Sequence, residues 1–124
     1  MARILVAEDE TTVREFVSRA LGLAGHQVTA VPDGGAALEA LAEASFDLLL
    51  TDIVMPVMDG IALALRVTRD YPSLPVLLMS GYPKERQRAH NIDVLVHDVL
   101  AKPFTLDELQ KAVAKALKPS GKSP

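Results

Sequence analysis

Five short apolar runs alternate with amphipathic stretches along this chain, and that alternation constrains its fold more than any other feature. The runs are rich in leucine and β-branched residues, as buried strands are. The intervening stretches repeat apolar residues at the spacing of a helix. Because strands that alternate with helices pair in parallel, the sequence predicts an α/β fold, a doubly wound five-stranded parallel sheet with helices on both faces. The strands are expected at residues 3–7, 27–31, 48–51, 76–79 and 99–101.

Capping signals place three of the helices between and after these strands. Thr12 and Glu15 have the spacing of a capping box, so the first helix is expected to begin there and to close at Gly25. Asp33 is the expected N-cap of the second helix. A further capping box starts at Thr105 and introduces the last helix.

The two remaining helices carry weaker signals. One is expected at about residues 61–71, with Ile61, Leu65 and Thr68 facing inward. The other is expected at residues 83–91 and has almost no apolar stripe, so it should be short or mobile.

The composition is typical of one globular domain. The length of 124 residues suits a single compact unit, expected at residues 1–118. With 49% hydrophobic residues against 23% charged ones, the sequence gives no reason to expect general disorder. Residues 119–124 are rich in Pro, Ser, Gly and Lys and are expected to form a disordered tail, because they have little apolar surface to bury.

Charge and cysteine content exclude several classes of function. The absence of cysteine excludes a disulfide scaffold, a thiolate zinc site and a cysteine nucleophile, and it fits the reducing cytoplasm. The net charge of −3 supplies no general attraction to nucleic acid. No apolar run approaches the ~20 residues needed to span a membrane, and the N-terminus lacks the features of a signal peptide. We therefore expect a cytoplasmic protein without direct nucleic-acid or membrane contact.

Acids follow two of the predicted strands. Glu8 and Asp9 come directly after the first strand, and Asp52 follows the third. The carboxyl ends of parallel strands meet at one edge, where such sheets bind ligands, so three carboxylates are expected in one crevice. Carboxylates this close repel one another unless a cation is present, and hard oxygen ligands favour Mg²⁺. The sequence therefore predicts a magnesium site.

Two further polar side chains are expected at the same edge. Lys102 ends the fifth strand and is placed to supply the cation that a phosphoryl group on Asp52 would need. Ser80 ends the fourth strand and offers a hydroxyl donor for a phosphoryl oxygen. The combined set predicts a site that accepts a phosphoryl group.

Four short motifs resemble the response regulator receiver domain family, which has a CheY-like fold. They are VAED at residues 6–9, TDIVMPVMDG at 51–60, MSGY at 79–82 and AKPF at 101–104. The resemblance extends from residue 3 to about residue 118. It implies the flavodoxin-like strand order 2-1-3-4-5 and a magnesium-dependent phosphorylation switch.

The resemblance implies a role for each acid of the site. Asp52 corresponds to the phosphoacceptor and also to a ligand of Mg²⁺. Asp9 corresponds to a direct metal ligand, and Glu8 to an acid that acts on the metal through water. The carbonyl of Val54 corresponds to a further ligand.

The resemblance also covers the side chains that sense the phosphoryl group, with one departure. Ser80 corresponds to the switch hydroxyl and Lys102 to the phosphoryl-binding lysine, and the peptide bond before Pro103 is expected to be cis. The switch aromatic of the family, three residues before the lysine, is Val99 in this sequence. That departure puts signalling from hydroxyl to aromatic in doubt.

Each candidate also has an ordinary structural interpretation. Asp52 taken alone could be a strand-end acid in a turn, and Glu8 and Asp9 could stabilise the positive end of the first helix. Asp59 is interpreted as an N-cap and Gly60 as a turn residue, so neither is assigned to the site. The histidines are interpreted as surface residues: His26, His90 and His97.

The resemblance implies a single-domain regulator of a two-component phosphorelay. Such a protein takes a phosphoryl group from a histidine kinase or a phosphotransfer protein and then changes its affinity for a protein effector. Since the sequence ends soon after its last helix, we expect the receiver surface itself to make that contact. The stretch LLLTDIVMPVMDGIAL is most similar to cell-cycle regulators of the CpdR type, some of which act as adaptors for regulated proteolysis.

Other functions stay open on the sequence alone. A phosphate sink or relay intermediate would pass the group on without effector contact. An aspartate-nucleophile phosphatase would be a true enzyme, but Val54 stands where that chemistry commonly needs a second acid, so we expect only self-phosphorylation and autodephosphorylation. A nucleotide-binding flavodoxin-like protein is disfavoured because neither GxxxxGK nor GxGxxG occurs.

Overall fold

The computed structural model describes residues 2–81 and 98–118, which form a parallel sheet flanked by helices. The strands are β1 (Arg3–Ala7), β2 (Gln27–Val31), β3 (Leu48–Asp52), β4 (Val76–Ser80) and β5 (Asp98–Ala101). The helices within the described residues are α1 (Thr11–Leu23), α2 (Gly34–Glu43), α3 (Gly60–Asp70) and α4 (Leu106–Leu117). The sheet order is β2-β1-β3-β4-β5 and every pairing is parallel, which confirms the predicted fold class and strand order.

The central strands are buried along almost their whole length. Every residue of β3 and β4 is buried, as are all residues of β1 except Arg3. The edge strands β2 and β5 are partly exposed. Helices on both faces of a parallel sheet leave no face to solvent, which explains why the central runs are continuously apolar rather than alternating.

Two apolar clusters lie on opposite faces of the sheet. Successive side chains of a strand point to opposite faces, so Leu5 joins one cluster while Ile4 and Val6 join the other. The first cluster packs against α2 and α3, and the second against α1 and α4. The sheet is thereby fixed between two helical layers, and its carboxyl-terminal edge is held at one end of the molecule.

Most predicted helix ends are confirmed, but the first capping box is wrong. Asp33 accepts the Ala36 N–H at 2.8 Å, and the box at Thr105 is complete. The N-cap of α1 is Glu10, two residues before the expected Thr12, and its side chain makes no capping hydrogen bond. The Glu10 N–H donates instead to the Glu8 carboxylate at 3.1 Å, so an acid outside the helix takes the role expected of Glu15.

The predicted inward face of α3 is only partly correct: Ile61 packs against the apolar cluster, but Leu65 does not face inward. The buried residues are Gly60, Leu63, Ala64 and Val67, whereas Leu65 is 44% exposed. The two stripes have the same helical spacing and differ by a rotation of about one residue, roughly 100°. Gly60 packs directly against the end of β3, and that close approach sets the rotation of the helix.

Several predictions fall on residues that the structure does not describe. The expected helix at 83–91 lies outside the described ranges, as do His90, His97 and the expected tail at 119–124. Within the described ranges, the helices are too short or too polar to cross a bilayer.

His26 is half-buried rather than a simple surface residue, and we predict that its titration changes stability. Its Nδ1 accepts the Ala2 N–H at 3.1 Å, and burial lowers the pKa of the imidazole from 6.5. As the pH falls below about 6.5, His26 therefore takes up a proton in the unfolded chain before it does so in the folded protein. The free energy of unfolding decreases through this window, until the pH reaches the lower pKa of the folded state. Urea denaturation between pH 5 and 7.5 should show this loss in the wild type.

The matched variant for this prediction is His26→Gln, which removes the titrating group. Its stability should change less across the same pH window than that of the wild type. Identical slopes in the two proteins would contradict the role of His26.

Candidate metal and phosphoacceptor site

The three acids predicted to share a crevice lie together at the carboxyl-terminal edge of the sheet. Glu8 and Asp9 directly follow β1, and Asp52 is the last residue of β3. β1 and β3 are neighbours that pair Ala7 with Thr51, which brings the residues after them side by side. One carboxylate oxygen from each of the three acids lies within 4.8 Å of the other two.

Lys102 reaches this cluster from the edge strand β5, two strands away from β3. It follows β5, and its Nζ lies 3.0 Å from Glu8 Oε1 and 3.0 Å from Asp52 Oδ1. To make both contacts it crosses the end of β4, where Ser80 and Gly81 are small; a Cβ on Gly81 would lie 3.8 Å from the lysine Cδ. The peptide bond between Lys102 and Pro103 is cis, as the resemblance implied.

Burial and charge act together on the ionisable groups of the cluster. Glu8 is fully buried, and this burial raises the pKa of its carboxyl group. The Glu10 N–H lowers that pKa, while the nearby Asp52 charge raises it further. Burial lowers the pKa of Lys102, but its hydrogen bonds to Asp52 and Glu8 outweigh that effect and the net pKa is raised. Lys102 is therefore a stable cation at the point where negative charge is densest.

The donor set fits a hard divalent cation. Three carboxylates in one crevice are the ligand type that Mg²⁺ prefers, together with water. Glu8 already uses Oε1 for Lys102 and Oε2 for the Glu10 N–H, while Asp9 is exposed to solvent. This division favours Asp9 and Asp52 as direct ligands and an indirect role for Glu8.

The other predicted site residues lie at the same edge. Ser80 is buried at the end of β4, and its carbonyl accepts the Lys102 N–H at 2.8 Å. Val54 is 51% exposed and lines the groove that contains Asp9, Asp52 and Lys102. The proposed roles of the Ser80 hydroxyl and the Val54 carbonyl stay predictions.

The backbone beneath Asp52 depends on a residue that the sequence analysis left out of the site. Gly60 is buried, and a Cβ there would overlap the Asp52 carbonyl oxygen. Its N–H donates to the Ile53 carbonyl at 2.7 Å, and the Thr51 hydroxyl donates to the Asp52 carbonyl at 3.0 Å. The one sequence signal for this contact is a glycine placed directly after the N-cap Asp59, which does accept the Ala62 N–H.

Val99, the departure from the family pattern, packs into the apolar cluster beneath α2 and α3. It lies in β5, paired with Leu78 of β4. Val99 is half-buried there, and its small β-branched side chain has no polar group that would need a partner. The structure thus gives Val99 a packing role.

The fold and site together define a doubly wound α/β protein with an acidic cluster and a buried lysine at the carboxyl ends of its strands. The family described as "Response regulator receiver domain" matches residues 4–114. This chain belongs to that family, which provides the signalling domains of two-component systems.

Individual relatives agree with the family assignment. The response regulator receiver protein CpdR of Brucella abortus is 43% identical over 94% of this chain and 98% of that protein. The structure of chemotaxis response regulator CheY4 of Vibrio cholerae is 30% identical with a TM-score of 0.87, covering 94% of this chain and 99% of that one. TrrA of Thermotoga maritima is 28% identical with a TM-score of 0.86, covering 94% and 100%.

Other relatives are longer proteins. The chain spans 24% of the response regulator FleR of Pseudomonas aeruginosa and 12% of the sensor histidine kinase TmoS of Ectopseudomonas mendocina. The likeness to these proteins therefore concerns their receiver portion.

We predict that Gly60→Ala destabilises the protein, because the added Cβ would overlap the Asp52 carbonyl. Overpacking of this kind should lower the free energy of unfolding by at least about 2 kcal/mol. The control is Gly22→Ala in α1, where no atom lies within 4 Å of the new Cβ. That variant should gain up to about 1 kcal/mol from helix propensity. Urea denaturation measures both, and equal stability of the two variants would refute the close contact.

Lys102→Ala should destabilise the fold at neutral pH, because it leaves buried Glu8 and Asp52 without their cation. The expected cost is on the order of 3 kcal/mol. The cost should shrink as the pH is lowered, because burial raises the pKa of the Glu8 carboxyl group and protonation removes the charge that Lys102 offsets. The control is Lys111→Ala, which breaks an ion pair with Asp107 whose side chains are 79% and 71% exposed. A loss as small as that of the control would contradict the buried arrangement.

Proposed function

We propose that Asp52 accepts a phosphoryl group from a histidine kinase or a phosphotransfer protein, and that the modified chain then binds a protein effector. The observation that carries this proposal is the Asp52 carboxylate itself. It ends a buried strand, it is 6% exposed, and one oxygen lies 3.0 Å from the Lys102 ammonium. Membership of the receiver family supports the same reading.

The chemistry follows from the charges around Asp52. Its ionised carboxylate supplies the nucleophilic oxygen, which forms an acyl phosphate as the nitrogen–phosphorus bond of the donor phosphohistidine breaks. The incoming group brings negative oxygens, and the Lys102 ammonium lies where it can pair with one of them. The Ser80 hydroxyl is proposed to donate a hydrogen bond to another.

Mg²⁺ is the proposed cofactor, and when bound it would neutralise charge on the acids and on the phosphoryl oxygens. Asp9, Asp52 and the Val54 carbonyl are the proposed direct ligands, with Glu8 acting through water. The three clustered carboxylates support this assignment. So does the similarity to TrrA, whose structure is described as a complex with Mg(2+)-BeF.

The proposed output is a change in protein binding, not turnover of a substrate. Similarity to CpdR over almost the full length of that protein supports a regulator that works through its own surface. A part in regulated proteolysis is the finer proposal. The half-buried Val99 packs against the apolar cluster beneath α2 and α3, so a rotating aromatic at this position is not part of the proposed switch. The proposed location is the cytoplasm, because the absence of cysteine fits a reducing compartment.

We predict that Asp52→Asn abolishes modification by acetyl phosphate in the presence of Mg²⁺. The amide is a poor nucleophile, while its shape preserves packing at the strand end, so the variant should remain folded. Intact-protein mass spectrometry measures the modification, and loss of the added mass with hydroxylamine identifies an acyl phosphate. Urea denaturation checks the fold.

The control is Asp107→Asn, which changes the same functional group on the exposed face of α4. It should be modified like the wild type. Modification of Asp52→Asn to the wild-type extent would overturn the phosphoacceptor assignment. Multiple turnover of a small phosphoester by the wild type would favour the phosphatase alternative instead.

A further inference from the structure

Arg14 in the first turn of α1 binds the backbone of the loop that carries the acids. Its Nη1 donates to the Glu8 carbonyl at 2.7 Å and more weakly to the Asp9 carbonyl at 3.5 Å. Its Nη2 lies 3.4 Å from the Thr11 hydroxyl oxygen. We propose that Arg14 is a positioning residue, which holds the Glu8–Asp9 peptide so that the acids are oriented for Mg²⁺. This inference rests on the proposed function.

The Glu8 carbonyl needs a partner that the sheet does not provide. The residue is fully buried and lies just beyond the end of β1, where its N–H still donates to the Val31 carbonyl at 3.0 Å. A buried carbonyl without a partner costs free energy, and a charged donor makes a stronger bond than a neutral one. Arg14 therefore fixes the peptide plane between the two acids from the carbonyl side.

Asp9 depends on this backbone for its position. Among residues 2–81 and 98–118, no hydrogen bond holds its exposed carboxylate. Glu8, by contrast, is anchored through both carboxylate oxygens, by Lys102 and by the Glu10 N–H. An acid that lacks its own anchor takes its direction from the peptide that carries it, so loss of the Arg14 contact should affect Asp9 most.

The charge of Arg14 alone would act in the opposite direction. In the described part of the chain its guanidinium forms an ion pair with none of the carboxylates around it, although Glu8, Asp9 and Glu10 are all close in sequence. A cation beside a metal site repels the metal. Positioning therefore predicts weaker Mg²⁺ binding when Arg14 is removed, whereas simple repulsion predicts tighter binding.

The test is a titration with Mg²⁺ alone that is monitored by NMR of the backbone amides. NMR is the readout because the chain has no tryptophan for a fluorescence assay. Arg14→Ala should raise the dissociation constant about tenfold, as is usual for residues that orient metal ligands. Arg14→Lys keeps the charge but loses the planar fork, so it should also bind Mg²⁺ more weakly. The control is Arg19→Ala, an exposed arginine of the same helix, which should bind like the wild type.

A second measurement separates positioning from damage to the phosphoacceptor. In Arg14→Ala, modification by acetyl phosphate should reach half of its maximal rate at a higher Mg²⁺ concentration than in the wild type. At saturating Mg²⁺ its rate should be nearly that of the wild type. If Arg14→Ala does not fold, the same two measurements on Arg14→Lys decide.

The outcomes distinguish this inference from the proposed function. Equal Mg²⁺ affinity of the wild type and both Arg14 variants, or tighter binding by Arg14→Ala, would overturn the positioning role alone. A loss of affinity in Arg19→Ala equal to that in Arg14→Ala would also overturn it, because the loss would then follow from any arginine substitution in α1 and not from the contact with the acid loop. A wild type without any Mg²⁺ affinity would overturn the proposed cofactor as well.

Discussion

The ammonium of Lys102 between Glu8 and Asp52 is the interaction on which the site depends. Both carboxylates are at least nine-tenths buried, and charges in such places are tolerated only when they are paired and hydrogen-bonded. The two acids come from neighbouring strands, whereas the lysine comes from β5 and reaches past the end of β4. The parallel direction of the strands makes this possible, since it brings all their carboxyl ends to one edge. The fold itself thus holds a cation beside both carboxylates.

The same edge is fixed from below by contacts that carry no charge. Gly60 lets the start of α3 approach the Asp52 carbonyl, and the Thr51 hydroxyl donates to that same oxygen. Arg14 performs a comparable task for the Glu8 carbonyl. In both places the main chain next to a charged side chain is held by a neighbouring helix. Rigid support of this kind keeps the acids at their spacing although they repel one another.

The receiver family explains why this arrangement is useful. A site rich in negative charge, with one fixed ammonium, changes greatly in electrostatic energy when a phosphoryl group and a divalent cation are added. Signalling requires that such a change be transmitted to a surface. Val99, half-buried against the apolar cluster, stands where the family pattern has an aromatic side chain, so in this chain the transmission is proposed to use other contacts.

Much of this protein was determined by its sequence alone. The buried strands, the N-caps Asp33, Asp59 and Thr105, and the meeting of Glu8, Asp9 and Asp52 at one edge follow from local patterns and from the geometry of parallel sheets. Tertiary structure decided which face of α3 turned inward, because helical spacing fixes the interval between apolar residues but not the rotation of the stripe; that rotation was set by contact at Gly60. It also decided that α1 begins at Thr11 and that Arg14 binds the acid loop, because these depend on which long-range donors and acceptors meet once the sheet has formed.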